Sequence, residues 1–112
     1  LAGHLLEMLA ASGKAAMLRL ADIPLMQGAL ELAQAGHGSS LQPANLAAIS
    51  WQMTAPPGAR TDLLADPQTA GGLLAAVPAE LAADLVGQLR AVGHDAATIG
   101  EITSGQPHLS VA

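Results

Sequence analysis

The sequence predicts an α/β (α+β) fold in which a mixed sheet of about four strands is layered with helices. Three observations lead to this prediction. In several segments apolar residues recur every three or four positions, which is the period of an amphipathic helix. Other segments alternate apolar and polar residues, as half-buried strands do. One unbroken apolar run, Leu73–Val77, is typical of a strand buried on both faces.

The first third of the chain alternates helix and strand. Leu1–Ser12 carries its leucines on one helical face, and the glycine that follows supplies a C-terminal stop. Lys14–Leu20 changes to a period of two, which predicts a strand. Asp22–Pro24 is predicted to turn into a second helix, whose apolar positions run from Leu25 to Ala33.

The middle of the chain is predicted to be mostly loop. His37–Asn45 is rich in Gly, Ser and Pro, and Thr54–Arg60 contains Pro-Pro-Gly, so both are expected to be loops. Between them, Leu46–Met53 has helical spacing and holds the one aromatic residue, Trp51. We expect this indole to act as a packing anchor, because no aromatic or basic residue accompanies it to form a stacking platform.

The last third gives clearer signals. A turn-rich segment, Asp66–Gly72, leads into the apolar run, and Pro78–Val92 follows as a helix with Pro in its first turn. Its predicted buried stripe consists of Leu81, Leu85, Leu89 and Val92. Ala96–Thr103 is predicted to be a strand with a bulge at Gly100, and Leu109–Val111 alternates as a final strand. Strand, helix and strand from Leu73 to Thr103 would form a right-handed crossover.

Composition limits the class of protein. A chain of 112 residues has room for one domain, residues 1–112. The absence of cysteine excludes disulfides and thiolate zinc sites, and 51% hydrophobic residues exclude intrinsic disorder. A net charge of −5 makes a nucleic-acid or anionic-membrane partner unexpected. No run reaches the roughly 18 apolar residues of a spanning helix. We therefore expect a cytoplasmic piece of a longer protein.

Most residue types that carry chemistry form no recognisable constellation. The four histidines, His4, His37, His94 and His108, include no pair at the spacing of helical metal ligands. His37 lies in a Gly-Ser loop and could face a ligand, whereas the other three are expected to be exposed or capping residues. No serine has the context of a nucleophile elbow, and no phosphate-binding glycine motif is present.

The segment Asp66–Gly72 is the exception. Its two final glycines can adopt positive φ, so successive backbone N–H groups could form an anion-binding nest. Asp66 could add a metal contact and Thr69 a hydroxyl donor. The alternative is a tight turn, with glycines because the strand start packs closely against a helix. The residues alone leave both interpretations open.

The same segment carries a resemblance to a known family. The run Asp66-Pro67-Gln68-Thr69-Ala70-Gly71-Gly72-Leu73-Leu74 resembles the signature of selenophosphate synthetase, or selenide, water dikinase. Three further segments are similar to the family in the same order: Leu1–Met8, Ile23–Ala29 and Ile99–Ile102. The sequence of Ser39–Pro43 is similar to that of a branch of the family in which the synthetase is fused to an NADH-dehydrogenase-like flavoprotein.

The resemblance implies a fold and an activity. The fold is the C-terminal domain shared with aminoimidazole ribonucleotide synthetase, whose own branch lacks the Asp-Pro-Gln-Thr signature. The intact enzyme would convert selenide, ATP and water to selenophosphate, AMP and phosphate with Mg²⁺, as a homodimer. Its catalytic and metal-binding residues lie in an N-terminal domain, so none is transferred to this chain. We expect that domain to be the partner, and the fragment alone to be inactive.

The residues expected to face a ligand are therefore loop residues of the chain: Asp66, Gln68, Thr69, Gly71, Gly72 and Asn45. Asn45 belongs to a segment that departs from the family, because the arginine that commonly precedes this asparagine is replaced by Ala44. This departure, with the low charge, supports a second interpretation. In that alternative, the chain is a non-catalytic packing or interaction module of a diverged fusion protein.

Overall fold

The computed structural model describes residues 1–112, and its helices and strands follow one another along the chain. The α-helices are α1 (Ala2–Ser12), α2 (Ala29–Gln34), α3 (Gln42–Ile49), α4 (Ala59–Asp62) and α5 (Ala79–Ala91). The strands are β1 (Lys14–Leu18), β2 (Met53–Thr54), β3 (Gly100–Ser104) and β4 (Leu109–Val111). Short 3₁₀ turns lie at Leu20–Asp22, Ser50–Gln52 and Leu63–Ala65.

The four strands form one mixed sheet in the order β2-β4-β1-β3. The central strand β1 runs antiparallel to β3 and parallel to β4, and β2 is parallel to β4. Ala16 lies opposite Ile102 on one side and Leu109 on the other, so these side chains share a face. The predicted α/β class with a four-stranded mixed sheet is confirmed.

One face of the sheet and the apolar face of α1 form the core. The fully or nearly fully buried residues of this cluster include Ala2, Leu5, Leu6, Leu9, Ala16, Leu18, Leu109 and Val111. The predicted N-terminal helix is confirmed, and it ends at Gly13, whose φ of 62° is the left-handed cap. Each buried leucine contributes about 1.5–3 kcal/mol relative to an exposed one, so α1 and β4 supply much of the stability.

The run Leu73–Val77 is not a strand, which corrects the prediction of a doubly buried strand and of a crossover unit. Residues 67–77 make no backbone–backbone hydrogen bond, and Leu73 is fully exposed, although Leu74 packs against the core. An apolar run records a tendency to be buried. It does not determine which strand edge will accept its hydrogen bonds, because that partner is distant in sequence.

Helix α5 forms where the periodicity predicts it, but its apolar stripe is exposed rather than buried. Leu81, Leu85 and Leu89 are 48%, 37% and 44% exposed, and Val92 is 72% exposed. The helical period of apolar residues predicts that a helix forms, but it does not show which other element covers its apolar face. None of the helices, α5 included, has the length and apolarity needed to cross a bilayer.

Helices α2 and α3 begin at other residues than predicted, and a glycine or a proline lies at each start. Helix α2 begins at Ala29 rather than Leu25, because Gly28 has a φ of 82°, which a right-handed helix cannot include. Helix α3 begins at Gln42, inside the segment predicted to be a loop, with Pro43 in its first turn where proline is tolerated.

The indole of Trp51 is 75% exposed and donates to the Ala48 carbonyl oxygen at 3.1 Å. It is not the predicted packing anchor.

Strand β3 is shorter than predicted and contains no bulge. It begins at Gly100 and pairs residue for residue with β1, so that Gly100 faces Leu18. A Cβ atom at Gly100 would overlap the Met17 carbonyl oxygen and crowd the Leu18 side chain. This glycine therefore allows the two strands to approach closely.

We expect Gly100→Ala to lower the free energy of unfolding by roughly 1–3 kcal/mol, because β1 or β3 must shift to accommodate the methyl group. Gly87→Ala is the matched control, since Gly87 lies inside α5 with open space around its missing Cβ. That substitution should be neutral or stabilise by about 0.5–1 kcal/mol. Urea unfolding followed by circular dichroism measures both. Equal effects of the two substitutions would contradict the close approach at Gly100.

Candidate functional site

The candidate site is a cavity of about 470 Å³ between two segments that are distant in sequence. One wall is the turn Pro24–Met26, and the other is the loop Asp66–Gly72. The volume lies within the usual range for small-molecule sites. Two segments that carry the family resemblance, Ile23–Ala29 and Asp66–Gly72, thus face each other across one cavity.

The predicted ligand-facing residues divide into two groups. Asp66, Gln68, Gly71 and Gly72 line the cavity. Thr69 is exposed and does not line it, and Asn45 does not line it either but donates a hydrogen bond to the Ala65 carbonyl oxygen.

Arg60 positions the first wall, although no sequence pattern singles it out. Its Nε donates to the Leu20 carbonyl oxygen at 2.7 Å, and its Nη2 donates to the carbonyl oxygens of Ala21 and Ile23 at 3.1 and 2.9 Å. No carboxylate pairs with this guanidinium. Charge-assisted hydrogen bonds are stronger than neutral ones, so Arg60 fixes the backbone that leads into Pro24.

Two amide side chains of α3 position the second wall. Gln42 Nε2 donates to the Asp62 carbonyl oxygen at 2.9 Å, and Asn45 Nδ2 donates to the Ala65 carbonyl oxygen at 3.0 Å. Gln42 and Asn45 are three residues apart, as are Asp62 and Ala65, so one face of α3 donates to the carbonyl oxygens of α4 and of the following 3₁₀ turn. Asn45 therefore holds the residue immediately before Asp66. In this structure it is a positioning residue.

Of the two interpretations of this loop, the anion nest is absent. Neither Gly71 nor Gly72 has positive φ, and a nest requires that left-handed geometry. A Cβ at Gly71 would lie 3.0 Å from the side-chain oxygen Oε1 of Gln68, whereas a Cβ at Gly72 would meet nothing. Gly71 therefore provides room for the Gln68 amide to fold over the loop.

The cavity carries little charge. Asp66 is the one charged side chain that lines it. The backbone nitrogen of Leu1 lies 3.1 Å from the Leu64 carbonyl oxygen, close to the loop that carries Asp66.

A second, smaller cavity of about 270 Å³ is lined in part by His37, Ser39 and Asp62. His37 therefore does face a cavity, separate from the one at Asp66. Elsewhere, His108 Nε2 lies 3.1 Å from the Thr54 hydroxyl oxygen. Across residues 1–112, no group of three or more His, Asp or Glu side chains is placed to hold a metal ion.

Comparison with known proteins assigns the chain to a family. Residues 1–111 match the family described as AIR synthase related protein, C-terminal domain. The chain belongs to this family, in agreement with its mixed sheet and helices. It is also similar over its whole length to curated proteins named selenide, water dikinase, which confirms the resemblance seen in the sequence.

The relatives are much longer than this chain. The protein of Myxococcus xanthus (strain DK1622) is 42% identical, and the match covers 99% of this chain and 32% of the relative. The proteins of Paraburkholderia xenovorans (strain LB400) and Clostridioides difficile (strain 630) are 36% and 34% identical, each over 99% of this chain. The match covers 32% and 33% of those two relatives. The chain thus spans about a third of the length of the proteins it resembles.

We expect Arg60→Met to lower the free energy of unfolding by about 2–3 kcal/mol, because three carbonyl oxygens lose a charged donor. Arg90→Met is the matched control, since Arg90 donates to one exposed carbonyl oxygen, that of Ala96. It should cost less than about 1 kcal/mol. Urea unfolding of both variants tests this difference. If their stabilities agree, Arg60 does not hold the turn.

Proposed function

We propose that this chain is the C-terminal domain of a selenide, water dikinase, and that it forms one wall of the nucleotide site. The proposed parent enzyme converts selenide, ATP and water to selenophosphate, AMP and phosphate. The observation that carries this proposal is the cavity itself: the two segments most similar to the family's distinctive motifs, Ile23–Ala29 and Asp66–Gly72, line it together.

The proposed role is positional. Asp66 and Gln68 present a carboxylate and an amide to the cavity, and Thr69 adds an exposed hydroxyl on the same loop. These groups can accept or donate hydrogen bonds to a bound nucleotide. Reacting groups must be held together for phosphoryl transfer, so a wall that orients the nucleotide contributes to rate without itself reacting.

The chain does not fit Mg²⁺ by itself. Magnesium prefers several oxygen ligands, and Asp66 is a single carboxylate with no second acid placed beside it. We therefore assign no metal-dependent step to these residues. ATP and Mg²⁺ belong to the proposed intact enzyme, in which the N-terminal domain supplies the metal ligands. The isolated chain is expected to be inactive.

The exposed apolar surface supports a partner domain. We define this apolar arm as Leu73, Val77, Leu81, Leu85, Leu89 and Val92. Four of these residues lie on one face of α5, and exposed apolar patches mark interaction sites in proteins. Because the relatives contain about twice as much additional chain, we propose that the N-terminal domain of the same polypeptide covers the arm. The proposed parent is a cytoplasmic homodimer.

The alternative is a non-catalytic interaction module. The absence of an arginine before Asn45 and the binding of Asn45 to a backbone carbonyl both favour it, because neither leaves a phosphate contact on α3. In this alternative the loop Asp66–Gly72 would be structural alone. A functional exchange experiment separates the two proposals.

The exchange experiment replaces the matching third of the Myxococcus xanthus relative with this chain. We expect the chimera to retain selenide-dependent formation of AMP from ATP, because the loop and its supporting contacts are supplied together. Parallel chimeras carry Gly71→Val and Gly72→Val. Gly71→Val should reduce activity more, since it displaces Gln68, whereas the Cβ position of Gly72 is open.

Folding of each chimera is checked by circular dichroism and by its elution as a soluble species. A folded chimera without activity would contradict the enzymatic proposal and favour the interaction module. Equal activity of both valine variants and the unsubstituted chimera would contradict the role of the loop.

The apolar arm has its own test. We expect the isolated chain to self-associate as its concentration rises, and Leu85→Glu to reduce that association by placing a charge at the centre of the arm. Sedimentation velocity at several concentrations measures both. Glu7→Gln, at an exposed position of α1 outside the arm, is the control. A chain that stays monomeric at high concentration would contradict an uncovered apolar arm.

A further inference from the structure

Methionine thioethers are the only oxidisable sulfur atoms of this chain, because it contains four methionines and no cysteine. The structure exposes these side chains unequally. Met26 is 80% exposed, whereas Met8 and Met17 are each 41% exposed. Met53, in β2, is partly buried and packs against the core. Oxidants reach an exposed thioether more readily than a shielded one, so Met26 is the most accessible of the four to attack.

The exposure of Met26 follows from an ordered backbone. Its carbonyl oxygen accepts a hydrogen bond from the Ala29 N–H at 3.0 Å, and Gly28 turns the chain into α2 with a φ of 82°. On the other side of the turn, Arg60 Nη2 donates to the Ile23 carbonyl oxygen at 2.9 Å. Both ends of the turn are therefore held, and the thioether is presented to solvent by the fold.

Met26 also belongs to a wall of the candidate cavity. Its neighbours in that wall are Pro24 and Leu25, so the surface that faces the loop Asp66–Gly72 is apolar. No other sulfur atom lines the cavity. Oxidation of methionine to its sulfoxide converts an apolar side chain into a polar one that carries a hydrogen-bond acceptor. One added oxygen atom at Met26 therefore changes the chemical character of this wall.

We propose that Met26 is an oxidation site of this chain, and that peroxide converts its thioether to the sulfoxide in preference to the other three methionines. The sulfur atom attacks one peroxide oxygen, so that a sulfur–oxygen bond forms and the oxygen–oxygen bond breaks. The proton of the transferred hydroxyl passes to the departing hydroxide, which leaves as water. Sulfur loses two electrons and the peroxide gains them. This inference does not depend on the proposed function.

The test follows the oxidation of each methionine when the 112-residue chain is treated with hydrogen peroxide. Cleavage after Lys, Arg and Glu places every methionine on a separate peptide: residues 8–14, 15–19, 20–31 and 32–60. Mass spectrometry of these peptides gives four rates, and fragmentation separates oxidation of Met53 from that of Trp51 on the last peptide.

We expect Met26 to be oxidised roughly twofold faster than Met8 and Met17, or more, because its exposed fraction is about twice as large. Met53 should be the slowest. A rate at Met26 equal to or below those of Met8 and Met17 would overturn the proposal.

The unfolded chain is the control for the effect of the fold. In concentrated urea all four side chains are open to solvent, so we expect their rates of oxidation to become similar. A preference for Met26 that persists in urea would come from its local sequence. That outcome would overturn the assignment of the preference to the folded turn.

The consequence for the cavity has its own measurement. In the ¹⁵N-labelled chain, peroxide should shift the amide resonances of Asp66–Gly72, and methionine sulfoxide reductases for both sulfoxide epimers should restore them. Met26→Leu keeps the wall apolar without the sulfur atom, so peroxide should no longer shift the loop. Met8→Leu, at the matched position on α1, should respond as the unsubstituted chain does. Loop shifts that survive Met26→Leu, or their absence after Met26 is oxidised, would overturn the effect on the wall.

Discussion

Arg60, a cation without a carboxylate partner, fixes the geometry on which the candidate site depends. Its guanidinium satisfies three consecutive or near-consecutive carbonyl oxygens between Leu20 and Ile23, which no other donor reaches. Pro24 follows directly, and it has no N–H with which to hold its own turn. On the opposite side, Gln42 and Asn45 hold the base of the signature loop. The cavity therefore exists because side chains far apart in sequence immobilise two short backbone segments.

The scarcity of charge gives this arrangement its chemical character. In a chain with 12% charged residues, each arginine is engaged by carbonyl or carboxylate oxygens of the protein itself. The side of the cavity built here consequently offers apolar surface, one carboxylate and one amide. The arginines that could bind a ligand instead donate hydrogen bonds within the chain.

Sequence reasoning succeeded where the determining interactions are local or where a motif is specific. The period of α1, its glycine stop and the alternation in β4 depend on near neighbours, so each was predictable. The loop Asp66–Gly72 was found through its resemblance to a family signature. Strand pairing of Leu73–Val77 and burial of α5 depend on distant partners, and both predictions were wrong.

Two aspects of the site could not be predicted from the sequence, each for its own physical reason. Arg60 binds carbonyl oxygens 37 to 40 residues away, and backbone acceptors leave no sequence pattern. A nest was one of two interpretations of Gly71 and Gly72, because glycine permits positive φ without requiring it, and in the structure Gly71 makes room for Gln68 instead. The cavity arises where these long-range contacts meet.

The most direct test of this account is an NMR measurement of the hydrogen bond from Arg60 Nε to the Leu20 carbonyl oxygen. We expect the Arg60 Nε–H proton to exchange slowly with water and to show scalar coupling through the hydrogen bond to the Leu20 carbonyl carbon. The exposed Arg90 Nε–H proton provides the internal comparison. Rapid exchange of the Arg60 proton, equal to that of Arg90 and without coupling, would contradict the claim that Arg60 holds the wall of the site.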